Sequence, residues 1–190
     1  MQPILKTNTS ATTDDFIAFW CKQYRYKNEH LYSNNIQAKN WEKKNILELF
    51  EWKNGTPLSA KKEKSVQAII ADLPTIHELR RNWNRELFDQ KFNIRTAVWK
   101  IFLMHIIQPV KFPIFDMHVF RAYNYLMKLE GKELKQYTEP EKYTLYESKY
   151  LLFYNEIEKN TSHTAKEIDK ALWAFGKFIS LYPDMLNYTH

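Results

Sequence analysis

The sequence predicts an all-α fold, and three observations carry that prediction. The 190 residues include only 3 glycines, too few for a strand-and-turn architecture or a glycine-rich phosphate loop. Apolar residues recur at helical spacing along most of the chain, with no strand-like alternation. Thr and Glu stand three residues apart before three of these runs, the spacing of a capping box, in which each side chain satisfies the other's backbone N–H. Hydrophobic residues make up 44% of the chain and aromatics 16%, enough for a sizeable, aromatic-rich core. The length suits one compact domain of about eight helices, with no linker, repeat or low-complexity segment.

The elements follow in order. Residues 1–12 read as frayed. Thr13-Asp14-Asp15 opens a helix with Phe16, Phe19, Trp20 and Tyr24 on one face. Residues 25–39, rich in Tyr, Asn and Lys, read as a loop. Asn40 caps a helix holding Trp41, Ile46, Leu47, Leu49 and Phe50, which stops at Asn54-Gly55. Thr56-Pro57 makes the turn, and Ser59 caps a helix with Val66, Ile69, Ile70 and Leu73. Pro74 breaks it, and the Thr75/Glu78 box starts the next. Asn93 caps a helix carrying Ala97, Val98, Ile101, Phe102, Met104 and His105, ended by Gln108-Pro109. Asp116 opens a helix that runs to about Leu129 and stops at Gly131. The Thr138/Glu141 box starts a helix with Leu145, Tyr146, Tyr150, Leu151 and Tyr154. The Thr164/Glu167 box starts the last, with Ile168, Ala171, Leu172, Phe175, Phe178 and Ile179, ending at Pro183.

Composition narrows the function classes. Net charge is +6 and the pI is about 9.2, which allows nucleic acid or another anionic partner without requiring one. A single cysteine, Cys21, excludes an intramolecular disulfide and any multi-cysteine metal site; it sits in an apolar run and reads as core. No signal peptide and no membrane-spanning apolar run is visible, so a cytoplasmic protein that does not enter the membrane is expected.

Metal and cofactor chemistry find no motif. No two of His30, His77, His105, His118, His163 and His190 have the spacing of a zinc helix, and no acidic calcium loop is present. His105 lies on a mostly apolar helix and reads as a satisfied core histidine. There is no nucleophile elbow. No cofactor is expected.

Two features do carry chemistry. The stretch Phe112-Pro113-Ile114-Phe115-Asp116-Met117-His118-Val119-Phe120-Arg121 turns at Pro113 and then enters a helix at Asp116. From residue types alone, Asp116 is either an N-cap or a reactive carboxylate displayed at a helix start. Around it in sequence lie Lys91, Arg95, Lys100, Lys111 and Arg121. In a nucleic-acid enzyme these meet phosphates, aided by backbone N–H groups at helix starts; otherwise they form a solvated face. Trp99 and Tyr123 are either core residues or a platform for a flipped base, and His118 can fix the turn.

The Asp116-Met117-His118-Val119-Phe120-Arg121 segment resembles the signature of the helix–hairpin–helix base-excision DNA glycosylases, V-D-T-H-V-x-R-V. Arg95-Thr96-Ala97 resembles the K-T-A that opens that family's preceding helix. Leu73-Pro74-Thr75-Ile76-His77-Glu78-Leu79 is similar to its P-T-x-x-x-L segment. The resemblance covers roughly residues 73–126. It implies a glycosylase-like helical fold, double-stranded DNA as partner, and Asp116 as the carboxylate that stabilises positive charge on the sugar as the base leaves.

The chain also departs from that pattern. Lys91-Phe92-Asn93-Ile94 replaces the glycine-containing hairpin turn, and the interval from Thr96 to Asp116 is a few residues longer. No cysteine-ligated cluster follows. Arg95 stands where the Schiff-base lysine is expected, and arginine stays protonated. The resemblance therefore implies a monofunctional glycosylase or lesion-recognition protein, not a lyase. The alternative is a non-catalytic protein on the same scaffold that binds DNA or another protein.

Overall fold

The structure is a computed structural model that describes residues 12–129 and 133–182. The all-α expectation is met: the described residues form eleven α-helices, a 3-10 turn and a π turn, with no strand. The chain divides into two compact units. The first joins Met1–Arg25 to Pro113–His190, and the second is Tyr26–Phe112.

The first unit begins with α1 (Thr13–Gln23). Thr12 is its cap, in a reciprocal box with Asp15; the rest of the frayed start expected for 1–12 lies outside the described residues. After Pro113 come α8 (Met117–Leu126), the 3-10 turn Leu134–Gln136, α9 (Glu139–Leu145), the π turn Tyr146–Tyr150, α10 (Leu151–Lys159) and α11 (Ala165–Leu181). The Thr138/Glu141 and Thr164/Glu167 boxes both form. The stops expected at Gly131 and Pro183 lie outside the described residues; α8 itself ends at Leu126, earlier than Leu129. Packed against both α1 and α8, α11 buries Ile168, Ala171, Leu172, Phe175 and Ile179. Phe175 meets Phe16, Trp20 and Tyr125 through ring contacts.

The second unit holds α2 (Glu29–Ile36), α3 (Lys43–Asn54), α4 (Ala60–Ala71), α5 (Leu73–Arg81), α6 (Arg85–Lys91) and α7 (Ala97–Ile107). Its core is built from Ile46, Leu49, Phe50, Ile76, Leu79, Phe88, Ile101, Phe102 and Leu103. Gly55 takes the left-handed conformation at φ 76 and closes α3 as expected.

Several local expectations are corrected. Residues 25–39 are not all loop, because α2 lies within them. Poor helix formers are held there by distant partners. The Asn35 side chain donates to Glu48 and accepts from Asn45, each at 2.7 Å, and its carbonyl accepts from the Trp41 indole at 3.0 Å. The cap of α3 is Glu42, boxed with Asn45, rather than Asn40. Trp41 instead lies before the helix, buried under the Arg80 guanidinium at 3.9 Å. The Thr75/Glu78 box does not form: Pro74 sits in the first turn of α5, which begins two residues before Thr75 and is capped at Asp72. Ser59 occupies the cap position of α4 without a side-chain bond. Asn93 does not cap α7, which starts after Thr96. Cys21 is half-buried rather than fully in the core, and burial pushes its thiol pKa up.

Candidate functional site

Asp116 sits at the start of α8 on extended backbone. Its Oδ1 accepts from the amides of His118 at 2.9 Å and Val119 at 3.0 Å. It is half-buried. Three features fix its position. Behind it, the turn Pro113-Ile114-Phe115 is buried, and two phenols hold its carbonyls: the Tyr146 hydroxyl donates to Pro113 O at 3.1 Å, and the Tyr150 hydroxyl makes a longer contact with Ile114 O at 3.4 Å. The π turn carries both tyrosines, and their rings pack on Phe115 with centroids 5.4 and 5.0 Å away. Below it, Val119 and Phe120 anchor the first turn of α8 in the core. Beside it, buried Gly176 of α11 lies against the backbone of His118: a Cβ built on Gly176 would fall 1.8 Å from the His118 carbonyl oxygen.

The sequence-predicted residues divide between the two units. Asp116, His118, Arg121 and Tyr123 belong to the first, and Lys91, Arg95, Trp99, Lys100 and Lys111 to the second. His118 is half-buried, with its ring edge-on to Trp173 at 5.0 Å. Arg121 forms a two-point ion pair with Glu133, at 3.2 Å from Nε and 3.0 Å from Nη2. Tyr123 is 3% exposed among Phe120, Tyr150 and Phe153, and burial raises its phenol pKa. That burial is core packing.

In the second unit, Lys91 is exposed at the end of α6 and Arg95 is exposed on the segment between α6 and α7. Residues 92–96 connect the two helices, and within this connection Ile94 N donates to Phe92 O at 2.9 Å. Lys100 is half-buried, paired with Asp89 at 2.6 Å and lying above the Phe88 ring. Although burial opposes ionisation of Asp89, its bonds from Lys100 and Arg85 hold the carboxyl pKa below the usual range. Lys111 is exposed above Trp83 and Phe112. Trp99 is half-buried and packs on Phe50 at 5.0 Å.

The buried polar centre of this unit is His105, 1% exposed. Its Nδ1 lies 2.7 Å from Phe112 O, and Nε2 lies 2.7 Å from the Tyr32 hydroxyl. A carbonyl only accepts, so Nδ1 carries the proton and donates. Nε2 of the neutral ring then accepts from the Tyr32 O–H. Desolvation lowers the His105 pKa to about 3, so the neutral tautomer persists at neutral pH. This is the satisfied core histidine read from the sequence.

Sequence reasoning passed over Trp173 and Gly176. The only local signal was one glycine inside an otherwise strong helical pattern, which indicates a close approach of another backbone.

Among the described residues, no group of three or more His, Cys, Asp or Glu is placed to hold a metal ion, and no helix is long and apolar enough to cross a membrane. Compared with protein-family models, curated proteins and solved structures, the chain matches none.

Proposed function

We propose that the chain binds duplex DNA and releases a base from it as a monofunctional N-glycosylase, with Asp116 as the carboxylate. The observation that carries this reading is Asp116 itself: a half-buried acid at the start of α8, at the head of the D-x-H-V-x-R segment. Its Oδ1 accepts the two capping bonds from the His118 and Val119 amides. A carboxylate fixed in this way does not need to reorganise when positive charge develops on a sugar beside it, and fixed electrostatics of that kind lower such barriers. Water supplies the nucleophile. Arg95, standing where the Schiff-base lysine is expected, does not supply an amine nucleophile, since a guanidinium keeps its proton. Lys91, exposed at the end of α6, and Arg95, exposed before α7, bind phosphate.

The test is base release from a panel of damaged duplexes, with alkali added to open abasic sites, for wild type and Asp116→Asn. Asn is as good an N-cap as Asp, so the variant removes charge and leaves the helix start intact. Release by wild type and none by the variant is the expected result. Equal behaviour of the two would remove Asp116 from the chemistry.

The second reading, a non-catalytic DNA- or protein-binding module, is favoured by the ion pairs Arg121–Glu133 and Lys100–Asp89, which turn two of the five cations toward the fold. Salt-sensitive duplex binding without base release from any substrate would select it.

A further inference from the structure

One side of α11 carries Lys166, Lys170, Trp173 and Lys177, which alternate at steps of four and three residues and so share a face. The half-buried Trp173 ring is met edge-on by Tyr24 at 5.2 Å and by His118 at 5.0 Å. Lys177 Nζ lies 5.0 Å from the Trp173 centroid, and Lys170 Nζ lies 5.2 Å from that of Tyr24. Glu167 accepts from Thr164 at the N-cap of α11, and Asp169 is 6% exposed. On this face ammonium groups therefore alternate with aromatic rings.

We propose that this face binds a nucleic-acid strand with unpaired bases. A base stacks on Trp173, and Lys170 and Lys177 swing from the rings they cover to neutralise phosphates. Alternation of cations and π faces is the chemistry of sequence-tolerant strand binding: every base has a face that stacks, and every nucleotide brings a phosphate. The net charge of +6 complements such a polyanion. The face also adjoins Asp116, because the His118 that touches Trp173 donates its amide to Asp116 Oδ1. The inference rests on the nucleic-acid part of the reading above and is independent of glycosylase chemistry.

The test measures binding of the full chain to a labelled oligothymidine strand across a salt series, with base release assayed in parallel. The variants are Lys170→Gln/Lys177→Gln and Trp173→Leu. Wild type should bind with log K falling as log salt rises, and the lysine pair should flatten that slope by about 0.7 for each lysine removed. Trp173→Leu should weaken binding roughly five- to hundredfold with the slope unchanged. Helical circular dichroism checks the folding of each variant. If Trp173→Leu does not fold, the lysine pair decides alone, since its side chains leave the core untouched.

Failure of wild type to bind the strand overturns the inference. So does binding that the lysine pair leaves unaltered, even where base release is intact; in that case only the strand site is lost. Lysine-dependent binding without base release from any duplex leaves the strand site standing and removes the glycosylase.

Discussion

Gly176 and His118 meet backbone to backbone. A Cβ on Gly176 would lie 1.8 Å from the His118 carbonyl oxygen and 2.5 Å from its carbonyl carbon. Glycine inside a helix costs roughly 0.5–1 kcal/mol relative to alanine, so this contact sets the residue against its own helix propensity. Gly176→Ala should therefore destabilise the protein by about 1–3 kcal/mol, the usual range for overpacking, where an open site would have gained stability. The urea midpoint measures this. Because the first turn of α8 must shift to admit the methyl group, base release should also fall. A Gly176→Ala protein as stable as wild type would mean that α8 and α11 are not in contact there.

Asp116 offers a pair of substitutions that separate its two roles. Asp116→Ala removes the acceptor of two backbone amides and should cost about 0.5–2 kcal/mol, as loss of an N-cap does. Asp116→Asn should stay within a few tenths of wild type, because the amide oxygen accepts the same bonds. Thermal or urea unfolding gives both values. An Asn variant as unstable as the Ala variant would show that charge, rather than the cap, holds the turn.

Arg121 and Glu133 are joined by two contacts at intermediate exposure, 17% and 35% by side chain. Glu133→Gln should lower stability by no more than about 1 kcal/mol, since solvent screens such pairs. It should also release the guanidinium. If Arg121 can serve phosphate, duplex binding tightens and its salt dependence steepens in this variant. Unchanged binding would make Arg121 a residue of the fold alone.

What the sequence revealed was mostly local. The boxes at Thr138 and Thr164, the Gly55 stop and the Asp116 cap each depend on residues within a few positions of one another, and all four form. Thr75 had the same spacing, but Pro74 drew the helix start upstream. The parts not legible depend on distant partners. α2 looks like loop until Glu48, Asn45 and Trp41 close around Asn35. Arg121 looks like a free cation until Glu133, beyond the end of α8, folds back on it. Tyr123 and Tyr150 share a core that no stretch of sequence contains. Chain continuity also hides the two units, because the chain leaves the first after Arg25 and returns to it only at Pro113.

His105 makes stability depend on acid. Its pKa falls to about 3 in the folded chain, against about 6.5 for a free imidazole. Between these values the unfolded state holds a proton that the folded state lacks, so stability rises with pH. The contribution is complete above about pH 6.5 and is lost as pH falls toward 3, at up to about 1.4 kcal/mol per pH unit. Denaturant midpoints across that range should fall with acidification. His105→Gln should flatten the slope by up to that amount while lowering stability throughout, because Tyr32 and Phe112 lose their shared partner. A slope unchanged by the substitution would mean that the ring is protonated in the folded protein.

Tyr146 and Tyr150 make the opposite prediction at high pH. Both are fully buried, and desolvation raises their phenol pKa well above 10, with Asp169 adding to the effect. Unfolded phenols ionise near 10, so above that pH the unfolded state sheds protons that the folded state keeps. Stability is then complete below about pH 10 and falls as pH rises, by about 1.4 kcal/mol per pH unit for each phenol. Phenolate absorbance should accordingly appear in two steps. Accessible tyrosines ionise first, and the buried ones, Tyr146 and Tyr150 among them, follow as the chain unfolds. Tyr146→Phe removes one phenol and the donor to Pro113 O. It should cost about 0.5–1.5 kcal/mol at neutral pH and make the alkaline loss of stability shallower by one group. If the turn before Asp116 depends on that bond, base release should fall in the same variant while helical content is unchanged. Two phenols that titrated reversibly with the rest, without unfolding, would place Tyr146 and Tyr150 in contact with water and remove them as the clamp on the Asp116 turn.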